Sequence, residues 1–113
     1  MTVTQTPFDI DTARDGQAAR LVLSGELDLA TVPRVEQAVA ATLAQGARTL
    51  IVDLGGLGFI DSSGLRLLIV LHQRAIAEGW TLSLIRPLER AMTVFKVSGL
   101  EENLPFAEKS SLA

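Results

Sequence analysis

The sequence predicts one α/β domain with a mixed, mostly parallel central sheet of four to five strands, an N-terminal β-hairpin and about four helices. Its 113 residues are 48% hydrophobic, enough apolar surface for a single core. Apolar runs of strand length alternate along the chain with segments whose apolar residues recur at helical spacing, as in parallel α/β layers. We expect residues 1–113 to form that one domain, with a frayed end over about 108–113.

The first two strands are predicted to form a hairpin. Residues 8–14 and 18–24 flank Asp15-Gly16, a pair that favours tight turns because glycine adopts positive φ readily and aspartate nearly does. We expect Gly25-Glu26-Leu27-Asp28 to end the second strand. This antiparallel edge makes the sheet mixed.

A first helix is predicted over residues 32–45. Thr31 is suited to capping it, and Pro33 fits the first turn, where a missing N–H is harmless. Gly46 stands where a helix commonly ends in a glycine. The inward stripe at helical spacing consists of Val35, Ala38, Val39, Thr42 and Leu43.

The next strand and helix are predicted around a glycine-rich segment. The apolar run 49–54 is typical of a central strand covered on both faces. Glycines 55, 56 and 58 predict a loop after it, and a second helix is expected from about Ser63 to Glu78, ending at Gly79. This helix is apolar around most of its circumference, which indicates either cover by the C-terminal segment or a surface awaiting a partner. The apolar residues are Leu65, Leu67, Leu68, Ile69, Val70, Leu71 and Ile76.

The remaining third continues the alternation. Thr81–Ile85 is predicted as a strand, and Pro87 opens a third helix through about Val97. Ser98-Gly99-Leu100 ends that helix. A short strand and a last helical turn are expected around Leu104 to Lys109.

Charge and composition exclude several classes of function. The net charge is −3 with a pI near 5.0, whereas nucleic-acid binders carry a basic face. The absence of cysteine excludes disulfides, thiolate catalysis and cysteine-based zinc sites. Residues 1–15 lack the basic and apolar regions of a signal peptide, and the longest apolar stretch, 67–71, is too short to span a bilayer. We therefore expect a cytoplasmic protein without membrane insertion.

The segment Asp61-Ser62-Ser63-Gly64 carries the clearest sign of chemistry. It falls at a helix start, where unpaired backbone N–H groups and the helix dipole favour a negative charge by about 0.3–1 kcal/mol. A phosphate on Ser62 would be tolerated there, and Arg66 lies one turn further on the same face. Ser and Asp are also the commonest helix caps, so these residues alone leave a simple capping cluster open, with Arg66 as a solvated side chain.

Three motifs resemble one family. Leu23-Ser24-Gly25-Glu26-Leu27-Asp28 is similar to the motif that follows the second strand of STAS domains. Ile51-Val52-Asp53-Leu54 followed by the 58–65 segment, Gly58-Phe59-Ile60-Asp61-Ser62-Ser63-Gly64-Leu65, resembles their central strand and signature loop. Val94-Phe95-Lys96-Val97-Ser98-Gly99-Leu100 resembles the end of their third helix. By these motifs the chain is identified as a member of the STAS group of bacterial anti-sigma factor antagonists.

This resemblance implies a phosphorylation-controlled binding module and no enzyme. Members bind an anti-sigma factor with serine kinase activity, which releases a sigma factor; the kinase then phosphorylates the antagonist using its own Mg-ATP, and a serine phosphatase reverses this. Ser62 matches the phosphoacceptor and Asp28 an aspartate near it. The implied partner-binding set is Asp28, Asp61, Ser62, Ser63, Gly64, Leu65 and Arg66.

The same resemblance implies no catalytic residue, metal or cofactor of the chain's own, and a monomer when free. Many members carry a small residue where this chain has Arg66, so the identity of the partner is open. An alternative job for the fold is an accessory STAS subunit of a transporter or signalling scaffold without kinase regulation.

Other constellations are weaker. Asp53 after a central strand is reminiscent of a response-regulator receiver, but the acidic pair and lysine that receivers need are misplaced. Asp9, Asp11 and Asp15 are spaced unlike a calcium loop. His72, the sole histidine, has no triad partner that the sequence identifies.

Overall fold

The computed structural model describes residues 7–107 and contains a four-stranded sheet with strand order β1-β2-β3-β4. β1 pairs antiparallel with β2, whereas β2, β3 and β4 run parallel. The predicted α/β class with a mixed sheet and an N-terminal hairpin is confirmed; the expected fraying over 108–113 lies outside the described residues. The elements in chain order are β1 (Asp9–Asp15), β2 (Ala18–Leu27), α1 (Val32–Ala44), β3 (Thr49–Ile60), α2 (Ser62–Glu78), β4 (Thr81–Ile85) and α3 (Glu89–Val97).

The sheet buries one face. Alternate residues of β2, β3 and β4 enter a single core together with apolar residues of all three helices, while most residues between them are half-buried. Cover of β3 on both faces was therefore a wrong prediction. Its second face carries Ile51 and Asp53, and the Asp53 carboxylate pairs with the Arg20 guanidinium at 2.9 Å. The apolar run 49–54 suggested burial on both faces of the sheet, but Ile51 on the second face is only partly buried.

β2 and β3 are both longer than predicted. Gly25-Glu26-Leu27 continues β2, and glycines 55, 56 and 58 lie within β3 and form no loop. The register shifts between Val22 and Ser24 and again between Gly25 and Glu26. A Cβ on Gly56 would lie 2.8 Å from the Leu23 carbonyl oxygen, so its absence permits a close strand approach at this irregularity. The glycines therefore allow β2 and β3 to stay paired beyond the irregularity.

The helices follow the predictions to within a few residues. α1 ends at Ala44, and α2 begins one residue early and ends at Gly79, whose φ of 78° is the left-handed end expected of a glycine. α3 starts at Glu89 and not at Pro87, since Leu88 is still extended with ψ of 154°. No helix within residues 7–107 has the length and apolar character needed to cross a membrane.

The last predicted helical turn is absent from the described part of the chain, which holds three α-helices against the four expected. Glu101 to Leu104 form turns, and Phe106 makes a single parallel bridge to Leu84 at the edge of β4. The Phe106 ring also meets the Phe95 ring edge-on, with 5.2 Å between centroids. This packing holds the segment extended against the sheet; Lys109 lies outside the described residues.

Two glycines in β3 offer a matched test of the close approach between β2 and β3. Gly56→Ala places a methyl group against the Leu23 carbonyl and should lower the free energy of unfolding by about 1–3 kcal/mol. Gly58→Ala meets only the Arg90 guanidinium, at 3.8 Å, and should stay within about 0.5 kcal/mol of wild type. Urea unfolding followed by the single buried tryptophan, Trp80, measures both. Equal effects would contradict the steric account.

Candidate functional site

The site lies where β2 and β3 end side by side. Leu27 and Ile60 are register partners, and the Asp61 backbone N–H donates to the Leu27 carbonyl at 3.1 Å. Asp28 and Asp61 are therefore the first residues beyond two adjacent parallel strands. The carboxyl edge of a parallel sheet is where such folds place their functional groups. Two motifs separated by more than thirty residues in the sequence meet here.

Asp28 organises the turn before α1. Its carboxylate accepts the backbone N–H groups of Ala30 and Thr31 at 3.0 and 3.1 Å, and its own N–H donates to the Thr31 hydroxyl. Thr31 stands at the start of α1 but makes no side-chain cap, contrary to the prediction, because its hydroxyl donates to the Glu26 carbonyl. This turn presents Leu29 to solvent, 75% exposed.

Asp61 caps α2. It has extended backbone angles, and its carboxylate accepts the Gly64 N–H at 3.0 Å. Ser62 is the first helical residue and is exposed, whereas Ser63 is half-buried. Neither serine hydroxyl makes a hydrogen bond within residues 7–107. Capping therefore accounts for Asp61 and leaves Ser62 without a structural task.

Gly64 fixes how closely α2 approaches the strand ends. A Cβ there would lie 2.6 Å from Ile60 Cγ1 and 2.9 Å from Leu27 Cγ. Leu65 follows it into the core. These two members of the predicted partner-binding set are buried, so they position the start of the helix and offer little surface of their own.

A groove between α1 and α2 adjoins Ser62. Its volume is about 340 Å³, and its walls combine apolar side chains with one residue of each charge. Val70 is 39% exposed here, so α2 is only partly covered by the rest of the domain. The groove is lined by Leu29, Val32, Glu36, Ser63, Arg66, Leu67 and Val70. Sequence reasoning named Ser63 and Arg66 but missed the contribution of α1.

Two more large apolar residues are exposed, one in β3 and one between β4 and α3. Phe59 is 47% exposed at the end of β3, and Leu88 is 46% exposed in the link from β4 to α3. That link begins beside β3, since the Arg86 carbonyl oxygen lies 3.9 Å from the Cβ position of Gly55. We call Ser62 and the adjoining groove the switch surface. Exposed apolar side chains in a groove beside a serine, such as Leu29 and Val70 here, are typical of a protein-binding surface.

The competing sites do not assemble. Asp53 lies within β3, and its carboxylate is held by Arg20 and by the Gly55 N–H at 2.8 Å. The Asp9–Asp15 carboxylates project from the exposed strand β1. Across residues 7–107, no three His, Asp or Glu side chains come together in a way that could hold a metal ion.

Comparisons with known proteins identify relatives over most of the chain. The family model described as "Mlab, STAS domain" matches residues 10–106. The anti-sigma-B factor antagonist of Staphylococcus aureus is 26% identical over 95 residues, which cover 84% of this chain and 88% of that protein.

Two solved structures of SpoIIAA are also similar. The anti-sigma factor antagonist SpoIIAA in its unphosphorylated form has a TM-score of 0.72 and 26% identity, covering 94% of this chain and 92% of that one. The phosphorylated form of the Bacillus protein has a TM-score of 0.66 and 26% identity, covering 94% and 96%. The family predicted from the three motifs is thus confirmed: the chain belongs to the STAS-domain family, and the relatives it resembles are anti-sigma factor antagonists.

Proposed function

We propose that this protein is an anti-sigma factor antagonist whose switch is Ser62. Unmodified, it binds an anti-sigma factor that is also a serine kinase, and a sigma factor is released. Phosphorylation of Ser62 ends this binding, and a serine phosphatase restores it. The observation that carries the proposal is an exposed serine, free of any capping role, at the start of α2 next to a partly apolar groove.

The relatives support this proposal. The S. aureus protein is named an anti-sigma-B factor antagonist, and SpoIIAA occurs in phosphorylated and unphosphorylated forms on a similar fold. In the proposed reaction the Ser62 oxygen bonds to the γ-phosphorus of Mg-ATP held by the kinase, ADP leaves, and the serine proton passes to the kinase. All of these partners act in the cytoplasm, and the free antagonist is a monomer.

Electrostatics at the start of α2 favour a switch of binding over a switch of folding. The helix terminus stabilises a phosphate on Ser62 by about 0.3–1 kcal/mol. The carboxylates of Asp28 and Asp61 stand nearby and oppose it, so the two effects partly cancel and the fold should be little changed.

The effect on a partner is larger. A phosphoserine carries about −1.5 to −2 charges near pH 7. One unit charge about 4 Å from a like charge costs about 4 kcal/mol at an effective dielectric constant of 20. Because about 1.4 kcal/mol is a factor of ten in affinity, one phosphate within the switch surface is sufficient to disrupt a complex.

Incubation with the cognate anti-sigma kinase and Mg-ATP should place one phosphate on Ser62, because its hydroxyl is exposed and uncommitted. Mass spectrometry of tryptic peptides locates it. Ser62→Ala should abolish the modification, whereas Ser63→Ala, a matched removal of the neighbouring hydroxyl, should leave Ser62 modified. If the wild type neither binds the kinase tightly nor becomes modified at Ser62, the proposal is refuted. Co-purification with a transporter or scaffold would instead favour the accessory-subunit role.

Charge at position 62 should separate binding from stability. Ser62→Ala should bind the kinase like wild type and escape inactivation, since only the acceptor hydroxyl is lost. Ser62→Asp should bind at least tenfold more weakly and melt within a few degrees of wild type, because the helix terminus accepts the charge. Calorimetric titration and thermal unfolding measure the two quantities. Unfolding of Ser62→Asp at ambient temperature would contradict the electrostatic argument.

A further inference from the structure

Arg66 differs from most arginines of the domain in having no partner among the described residues. Within residues 7–107 it makes no hydrogen bond or ion pair, although it is exposed on the wall of the groove beside Ser63. Six other arginines each donate to an acceptor of the chain. These are Arg14, Arg20, Arg34, Arg48, Arg74 and Arg86.

The position of Arg66 brings its guanidinium within reach of Ser62. The two residues are four apart on α2 and thus lie on the same face. Helical side chains lean toward the N-terminus, so the Arg66 side chain extends over the first turn. Ser63, one residue from Ser62, lines the same groove as Arg66. A phosphate on Ser62 would therefore lie within reach of the Arg66 guanidinium.

The neighbouring charges leave the phosphate as the best acceptor. Glu36 is the one carboxylate among the groove-lining residues, and it makes no ion pair with Arg66. Asp28 and Asp61 already accept backbone N–H groups. The Arg90 guanidinium of α3 lies by Gly58 in β3, 3.8 Å from its Cβ position. A phosphate dianion offers a guanidinium a bidentate, charge-assisted pair that none of these carboxylates now provides.

We propose that Arg66 transmits the phosphorylation of Ser62 to the groove. When Ser62 is phosphorylated, Arg66 pairs with the phosphate and leaves the wall it shares with Leu29 and Val70. The modification then changes the partner surface twice, by adding negative charge at Ser62 and by withdrawing a positive charge from the groove. This inference rests on the proposed function for its biological meaning, but its geometry concerns this chain alone.

The test uses the full chain with phosphoserine incorporated at position 62 by genetic encoding, so no kinase is required. Pairing with a cation favours the phosphate dianion and lowers its second pKa, which is about 6 for free phosphoserine. Arg66→Gln should therefore raise the pKa measured by ³¹P NMR titration, by about 0.3–0.7 of a pH unit relative to wild type. Arg66→Lys should restore part of the difference.

Arg74→Gln is the matched control, because it removes the same charge from the same helix two turns beyond Arg66, outside the groove. Its phosphate should titrate like that of wild type. The methyl signals of Leu29 and Val70 give a second readout and should shift on phosphorylation in wild type but much less in Arg66→Gln. Identical titrations of wild type and Arg66→Gln, or an equal rise in Arg74→Gln, would overturn the proposal. Absence of both tight kinase binding and Ser62 modification would instead refute the proposed function and leave this titration unaffected.

Discussion

The parallel pairing of β2 with β3 as far as Leu27 and Ile60 is the constraint on which the site depends. The strands stay paired past two register shifts because Gly56 has no Cβ to strike the Leu23 carbonyl. Both strands then end at the same edge of the sheet, and the Asp61 N–H donates to the Leu27 carbonyl. Had β3 ended at Leu54, as its apolar run suggested, the start of α2 would have been detached from Asp28.

At this edge of the sheet the two aspartate carboxylates accept backbone N–H groups, whereas the Ser62 hydroxyl makes no hydrogen bond within residues 7–107. Asp28 and Asp61 satisfy N–H groups that helix and turn starts would otherwise leave unpaired. Since Asp61 provides the cap of α2, Ser62 is free to be exposed, and modifying its hydroxyl breaks no bond that supports the fold. With an aspartate as the cap and a serine after it, the hydroxyl can change without loss of the cap.

Sequence reasoning succeeded where the signal was local. The hairpin, the end of α2 at Gly79 and the position of Ser62 at a helix start all follow from neighbouring residues, although the hairpin turns at Gly16-Gln17, one residue later than the predicted Asp15-Gly16. It failed where the outcome depended on distant ones. A glycine in β3 signals a loop unless the approach of Leu23 is known, and Ile51 looks buried unless the helices are known to pack on the other face. The groove joins residues 29–36 to residues 63–70, which no local pattern relates.

The exposed apolar residues indicate how the switch surface could bind a partner tightly and still release it when a phosphate is added. Ile76 and Val97 are also exposed, at 72% and 84%, but single apolar residues are normal on protein surfaces. Leu29 and Val70 instead share one groove next to Ser62. Burying side chains of this size contributes about 1.5–3 kcal/mol each, largely independent of salt, whereas a phosphate facing a like charge costs about 4 kcal/mol. The two magnitudes are comparable, so a single phosphate can offset the gain from two buried aliphatic contacts. The buried apolar area would determine how tightly the partner binds, and the charge of one phosphate on Ser62 would determine whether it binds.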